Sequence, residues 1–318
     1  MTNRGIDVGE SLPEWVRTTD LGNWNRYAAV NDEFVPIHMD AEAARAIGQP
    51  DVFGMGNLRL AYLHALVERW LGGSGDLAEL ACEFRGLNLK GDMLTARGTI
   101  TGVEARGEDR IVELALSVVN QDGKETTPGS ARATLFGSQR LDALPEPPAT
   151  AARTSARPGV YLDEPLLSWL GRSGPPSTSF PVGENDIRRW ALAVAWPDRP
   201  PAHYYDPAAA ARTPFAGLVA PRDFNPFAWA PDLPVAMPWL AVRKVGPAPG
   251  GRILNGGQHN RYFAPIRPGD VIRSVSTLVD AYEREGRLGT MLFLVGESRW
   301  VNQRAELVRL GTTTLIYY

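Results

Sequence analysis

The segment NLRLAYLHALVERWLGG, residues 57–73, constrains the fold more than any other stretch of the chain. Leu58, Leu60, Ala61, Leu63, Ala65, Leu66, Trp70 and Leu71 put apolar groups around most of a helical circumference, and a helix of that kind is wrapped by other structure. Gly54 and Gly56 precede it, and Gly72–Gly73 stop it. From Cys82 to Gly137 the pattern changes: apolar and polar residues alternate in several runs, broken at Gly91-Asp92, Gly107-Glu108-Asp109 and Gln121-Asp122-Gly123. One buried helix followed by an antiparallel meander predicts an α+β fold in which a sheet curls around a helix.

The residues ahead of that helix read as helix, loop, short helix. Asp20 caps a helix whose positions Leu21, Trp24, Tyr27 and Ala28 fall at helical spacing and which ends near Val30. Pro36 has no N–H to donate and biases Val35 towards an extended conformation, so His38 is expected on a loop or short turn. Asp40 then caps AEAARAIG, which Gly48 closes.

Residues 142–160, rich in Pro, Ala, Ser and Thr, read as a linker between a first domain over 1–141 and a second over 161–318. The second half repeats the first in order. Asp186 caps IRRWALAVAW, a loop holds Asp198, Pro200, Pro201 and His203, Asp206 starts PAAAAR, and Gly217 precedes LVAPRDFNPFAW. Two turn markers recur: Gly91-Asp92 answers to Gly269-Asp270, and Asn120-Gln121 to Asn302-Gln303. Order, spacing and turn chemistry agree on a duplicated unit of about 140 residues.

Composition narrows the partners. A net charge of −3 with 22% charged residues gives no global basic field, so neither nucleic acid nor a membrane surface is an expected partner. A single cysteine, Cys82, excludes an intrachain disulfide framework and a CxxC-type metal site, and the scattered histidines argue for no metal. No apolar run reaches the roughly 18 residues of a membrane helix, and MTNRGIDVGESLPEW has no apolar core of signal-peptide length. A cytoplasmic protein is the expectation. No P-loop or GxGxxG pattern opens a helix after a strand, so no ATP or nicotinamide cofactor is expected.

The stretch NRYAAVNDEFVPIHMD, followed by GMG and the long apolar helix, resembles the motif of the MaoC-like hydratase/dehydratases, which include (R)-specific enoyl-CoA hydratases. GLVAPRDFNPF, GGQHNRYFAPIRPGD and WVNQRAELV resemble a fatty-acid-synthase-type dehydratase repeat. The resemblance implies a double hot dog, two repeats each with a long helix wrapped by an antiparallel sheet. It also implies interconversion of a 2-enoyl and an (R)-3-hydroxyacyl thioester, carried on CoA or an acyl carrier protein, with no further cofactor. Laid on the motif S-G-D-x-N-P-x-H-x-D, the chain matches at Pro36, His38 and Asp40, puts Glu33 on the catalytic Asp, and departs with Val35 where the motif has Asn. Asp32, beside Glu33, is the rival carboxylate.

In that frame Glu33 and His38 share a water as base and acid. The backbone N–H of Gly56 holds the thioester oxygen at the helix N-terminus, where amides are unsatisfied and the dipole favours negative charge. Val35, Gly54, Met55 and Asn57 are the expected substrate contacts. Aligning Asp206 with Asp40 places Tyr204 on His38 and Arg199 on Glu33, which predicts a non-catalytic second half. Thioester hydrolysis, a conjugate addition or cyclisation, and a non-catalytic acyl-binding subunit stay open as alternatives; so do a monomer and a homodimer. Outside the motif, His64 reads as a satisfied core histidine, His259 as a strand-surface residue and Cys82 as a small core residue ahead of a strand. Arg85, Lys90, Arg261 and Arg267 read as solvated strand-edge charges, with phosphate recognition as the alternative.

Overall fold

The structure is a computed structural model that describes residues 6–137, 158–230, 237–242, 246 and 248–318; the expected linker over 142–160 lies outside the described residues except for 158–160. In chain order the elements are β1 (Trp15–Thr18), α1 (Leu21–Asn31), α2 (Ala41–Ala46), α3 (Gly56–Leu71), β2 (Gly75–Glu83), β3 (Met93–Arg106), β4 (Asp109–Val119) and β5 (Glu125–Leu135). They continue with α4 (Glu164–Leu167), β6 (Ser177–Thr178), α5 (Glu184–Ala195), α6 (Pro207–Ala211), β7 (Ile253–Tyr262), β8 (Arg273–Gly286), β9 (Gly289–Val301) and β10 (Leu307–Tyr317).

Two compact units result. One holds Met1–Asp142, Val182–Ala228 and Pro265–Gly269; the other holds Ala143–Pro181, Trp229–Ala264 and Asp270–Tyr318. The division is not the linear one of 1–141 against 161–318, because α5, α6 and the chain after them pack with the first unit.

In the first unit the strands run β1-β3-β4-β5-β2, all neighbours antiparallel. α3 packs against β2, β3, β4 and β5, and buries Leu58, Leu60, Ala61, Leu63, Leu66, Val67 and Leu71. Gly129 in β5 fits a narrow space, since a Cβ there would lie 2.6 Å from the Ala81 carbonyl oxygen of β2 and 3.3 Å from a Leu63 methyl carbon of α3. Asp20 accepts from the Asn23 amide and starts α1, which buries Trp24, Tyr27 and Ala28. A tether holds α5: Arg17, buried on β1, donates to the Ala195 carbonyl at 3.2 Å and pairs with Asp198 at 2.7 Å.

β2 begins earlier than the alternating pattern suggests, so Cys82 lies near its end rather than ahead of a strand. The register shifts between Leu77 and Glu79, and this bulge breaks the two-residue period by which a strand is read from sequence. Cys82 is buried and His64 is fully buried, with its Nδ1 2.9 Å from the Leu60 carbonyl; His259 is exposed on β7.

The second unit orders its strands β7-β10-β9-β8-β6. Its core joins Trp239 to Leu162, Leu166, Leu278, Ala281, Leu292, Leu294 and Tyr317. Gly296 leaves room for the indole, since a Cβ there would sit 3.1 Å from a Trp239 ring carbon. No long helix fills this unit among the described residues. The segment LVAPRDFNPFAW, in the sequence place of α3, forms turns, and up to Ala228 it belongs to the first unit, as Pro221 and Pro226 interrupt any helical ladder.

The duplication is visible in hydrogen bonds. Gln121 bridges Asp92 (2.8 Å) and the Met93 amide (3.1 Å), and Gln303 bridges Asp270 (3.0 Å) and the Val271 amide (2.9 Å). The Asn120 side chain accepts from the amides of Asp122 and Lys124; Asn302 accepts from those of Arg304 and Glu306. The same turn is thus built twice, with positive φ at Gly123 and Ala305.

Candidate active site

The loop after α1 is fixed by backbone geometry. Asp32 takes a left-handed conformation, φ 54 and ψ 40, as the C-cap of α1, a conformation that Asp tolerates better than most residues. The reversal leaves Asp32, Phe34 and Val35 exposed and turns the Glu33 side chain inward, half-buried. Three donor contacts hold that carboxylate: Asn31 Nδ2 to Oε2 at 2.7 Å, and Asn57 Nδ2 to Oε1 at 3.2 Å and Oε2 at 3.1 Å. Burial raises the Glu33 pKa, while the Asn57 and Asn31 donors act against the rise.

His38 closes the one-turn helix Pro36–His38, which Asp40 follows as the cap of α2 by accepting from the Glu42 amide at 2.8 Å. The ring is buried and lies edge-on to Phe53, with Nδ1 2.7 Å from the Phe53 carbonyl. A carbonyl only accepts, so the proton sits on Nδ1 and the Nε2 lone pair is left for another partner. Burial lowers the His38 pKa, the bond to Phe53 raises it, and the charge of Arg59 lowers it again.

Both groups are therefore tied to one short piece of chain. Glu33 is held through Asn57 and His38 through Phe53, on either side of Gly54, Met55 and Gly56, where α3 begins. That helix has no side-chain cap hydrogen bond, and the positive end of its dipole lies at this turn. Gly56 lies against Phe84, whose ring a Cβ would meet at 3.3 Å. Gly54 lies flat on the Asn88 side chain and its amide donates to the Asn88 carbonyl at 2.8 Å. Met55 is fully buried.

Several participants are not apparent from sequence. Asn31 orients the carboxylate and accepts at Oδ1 from Asn225, in the LVAPRDFNPFAW segment, at 2.9 Å, while Asn57, expected among the substrate contacts, holds the carboxylate as well. Arg59, one turn into α3, is buried at 3% exposure, donates to the Gly86 and Thr126 carbonyls, and is pushed down to about 10 by burial. Its position on the apolar helix gives no periodic signal. Of the charges read as solvated strand-edge groups, with phosphate recognition as the alternative, Arg85 pairs with Glu83 at 2.8 Å, Lys90 pairs with Asp51 at 3.5 Å, and Arg267 donates to the Phe215 carbonyl at 2.9 Å.

The repeat of this loop keeps the one-turn helix and the Asp cap, lengthens the chain before them by two residues, and changes the chemistry. Asp206 accepts from the Ala208 amide at 2.8 Å as Asp40 does from Glu42, and the turn Ala202–Tyr204 matches Pro36–His38, which puts Tyr204 in the place of His38. Asp206 and Asp40 set a gapless register that places Arg199 on Glu33.

A long helix in a curled antiparallel sheet, with a carboxylate and a neutral histidine at its N-terminus, defines a hot-dog protein of the hydratase/dehydratase class. The MaoC-like domain family matches residues 9–121, and the FAS1-like dehydratase domain region matches residues 168–310. A UPF0336 protein of Streptomyces avermitilis is 33% identical over 116 residues, which cover 35% of this chain and 69% of the relative. Among solved structures, a MaoC-domain protein from Chloroflexus aurantiacus superposes with TM-score 0.67 at 12% identity, covering 99% of this chain and 98% of that one. A conserved hypothetical protein of Mycobacterium tuberculosis with a double hot-dog fold gives TM-score 0.64 at 14% identity, covering 98% and 97%. The chain belongs to the MaoC-like dehydratase family, and its fold is the double hot dog.

Proposed function

We propose that the protein adds water to a 2-enoyl thioester, or removes it from an (R)-3-hydroxyacyl thioester, with the acyl group carried on CoA or on the phosphopantetheine of an acyl carrier protein. The observation that carries this reading is the anchoring of Glu33 and His38 to the two sides of the α3 N-terminus, with the carboxylate pKa raised and the imidazole held neutral. A carboxylate whose pKa is raised can take a proton and return it, and an imidazole kept neutral can accept a hydrogen bond from the water beside it.

In hydration the thioester oxygen accepts from the Gly56 amide, which stabilises the charge that develops there. The water donates one O–H to His38 Nε2 and the other to Glu33. Glu33 takes the proton, the oxygen bonds to C3, and the electron pair of the C2–C3 double bond moves towards the thioester carbonyl. Glu33 returns its proton to C2 on the same face. Asp32, exposed as a helix cap, is assigned no proton transfer, and Val35 and Gly54 flank the acyl approach.

Asn31 and Asn57 favour the ionised form of Glu33, so removing them raises its pKa further. Asn57→Ala is expected to shift the acid limb of the hydration pH–rate profile to higher pH, with a kcat loss of order tenfold to 10²-fold as the carboxylate loosens. An unmoved acid limb removes Glu33 from the role of base.

The reading is tested with a panel of 2-enoyl and 3-hydroxyacyl thioesters, as CoA and pantetheine forms, followed by mass. Gain or loss of one water with the thioester intact supports it; release of free acid marks a thioesterase instead.

A further inference from the structure

The first unit holds an open cleft of about 520 Å³ where α3 ends, lined by Arg69, Arg199 and Arg212 and by no carboxylate. α3 has 16 residues, a length of about 24 Å, so this cleft and Gly56 lie at opposite ends of the helix. No step of the proposed reaction uses it.

None of the three arginines has an ion pair among the described residues. The carboxylates nearest in sequence are committed elsewhere. Asp198 accepts from Arg17 at 2.7 Å and Trp15 at 3.0 Å, Asp206 caps α6, and Glu68 accepts from the Arg222 amide at 3.0 Å. Arg69 and Arg212 each sit at a helix C-terminus, Arg69 in the last turn of α3 with its Nη1 donating to the Arg199 carbonyl at 3.3 Å, and Arg212 as the C-cap of α6. Arg199 has no such role, and the three exposed side chains gather positive charge around one cleft, which a bound anion would neutralise.

The floor of the cleft is a neutral group. His203 is pushed down to about 4 by burial, and it packs on Gly73, where a Cβ would come within 3.2 Å of Nδ1. The position of Arg199 adds weight: in the repeated loop it replaces the carboxylate of the first copy with a guanidinium.

We propose that the Arg69–Arg199–Arg212 cleft binds a phosphorylated small molecule, with the three guanidinium groups as its phosphate contacts. The planar donor fork of arginine fits phosphate oxygens, and the volume lies within the roughly 300–1,000 Å³ of small-molecule sites. The phosphate belongs either to the nucleotide end of the substrate thioester or to a separate nucleotide. The second case does not depend on the hydratase reading; the first rests on it.

Equilibrium titration with inorganic pyrophosphate and with adenosine 3′,5′-bisphosphate tests the site without turnover. Wild type is expected to bind saturably, Arg199→Gln and Arg212→Gln to bind about tenfold more weakly each, and the triple Arg69/Arg199/Arg212→Gln variant not at all. Arg132→Gln, an exposed residue paired with Glu113 at 3.1 Å, is the control expected to bind as wild type does. Absent binding in wild type, binding retained by the triple variant, or an equal loss in the control overturns the site. The source of the phosphate follows from kinetics. A KM that rises in the triple variant for the CoA thioester but not for the pantetheine thioester assigns the phosphate to the substrate, and unchanged KM values with lost titration binding assign a separate nucleotide.

Discussion

His38→Ala is expected to lower kcat by about 10²- to 10⁴-fold on whichever thioester the protein turns over, and Glu33→Gln by a similar factor, the range for removing a positioned acid or base. The two effects are expected not to add, because both groups hold the same water and either loss disables the same step. His38 is buried against Phe53, so alanine also strands the Phe53 carbonyl, at about 1–3 kcal/mol. His38→Gln keeps most of the volume and a donor towards that carbonyl, and it separates the catalytic loss from the structural one. Full turnover in a folded His38→Gln or Glu33→Gln variant would contradict the assignment and favour an acyl-binding role for this loop.

Asp76→Asn is expected to destabilise the first unit by about 1.5–3 kcal/mol, the cost of weakening a buried charge-assisted hydrogen bond while the Glu68 carboxylate stays near Arg222. Asp76 on β2 and Arg222 are both buried, and Arg222 grips the carboxylate through Nε at 2.8 Å and through Nη2. The exposed pair of Arg132 and Glu113 supplies the contrast; breaking it is expected to cost below about 1 kcal/mol. Urea midpoints at constant slope measure both, and a loss under 1 kcal/mol for Asp76→Asn would mean that Arg222 finds water or another acceptor.

The same cluster sets a pH dependence. Glu68 is raised from 4.5 to about 7, mainly by burial, so the folded state keeps a proton that the unfolded chain releases. Its contribution to stability is complete below pH 4.5 and is lost as pH rises through about 7. Glu68→Gln removes that part, and its difference from wild type separates it from the opposite drift of His203, whose stabilisation is lost as pH falls from 6.5 through about 4.

What is legible in this sequence is what has a period or a cap. The apolar circumference of α3, the Asp caps of α1, α2 and α6, and the paired Gly-Asp and Asn-Gln turns are local signals, and each becomes the element it announces. β2 is blurred because its bulge resets the alternation that would mark it. The second repeat looks from its order as though it should carry its own central helix. Pro221 and Pro226 turn that segment instead, and Asn225 and Arg222 within it serve the first unit.

The candidate site divides in the same way. Glu33 and His38 stand in a recognisable motif, but the groups that tune them come from distant positions: Phe53 is 15 residues from His38 and Asn57 is 24 from Glu33. Arg59 is invisible to pattern because a charged residue on a wrapped helix looks like an exception to the apolar face rather than a part of the site. The cleft at the other end of α3 escapes for a related reason. Arg69, Arg199 and Arg212 are far apart in the chain, and only folding brings them to one surface.

The most direct test of the central claim is the reaction of a 2-enoyl thioester in water enriched in both heavy oxygen and deuterium, with wild type beside Glu33→Gln. Wild type is predicted to place heavy oxygen on C3 and one deuterium on C2 of an intact 3-hydroxyacyl thioester, both added to the same face, while the variant incorporates neither. Heavy oxygen in a released carboxylic acid, or equal labelling by the variant, would contradict the account.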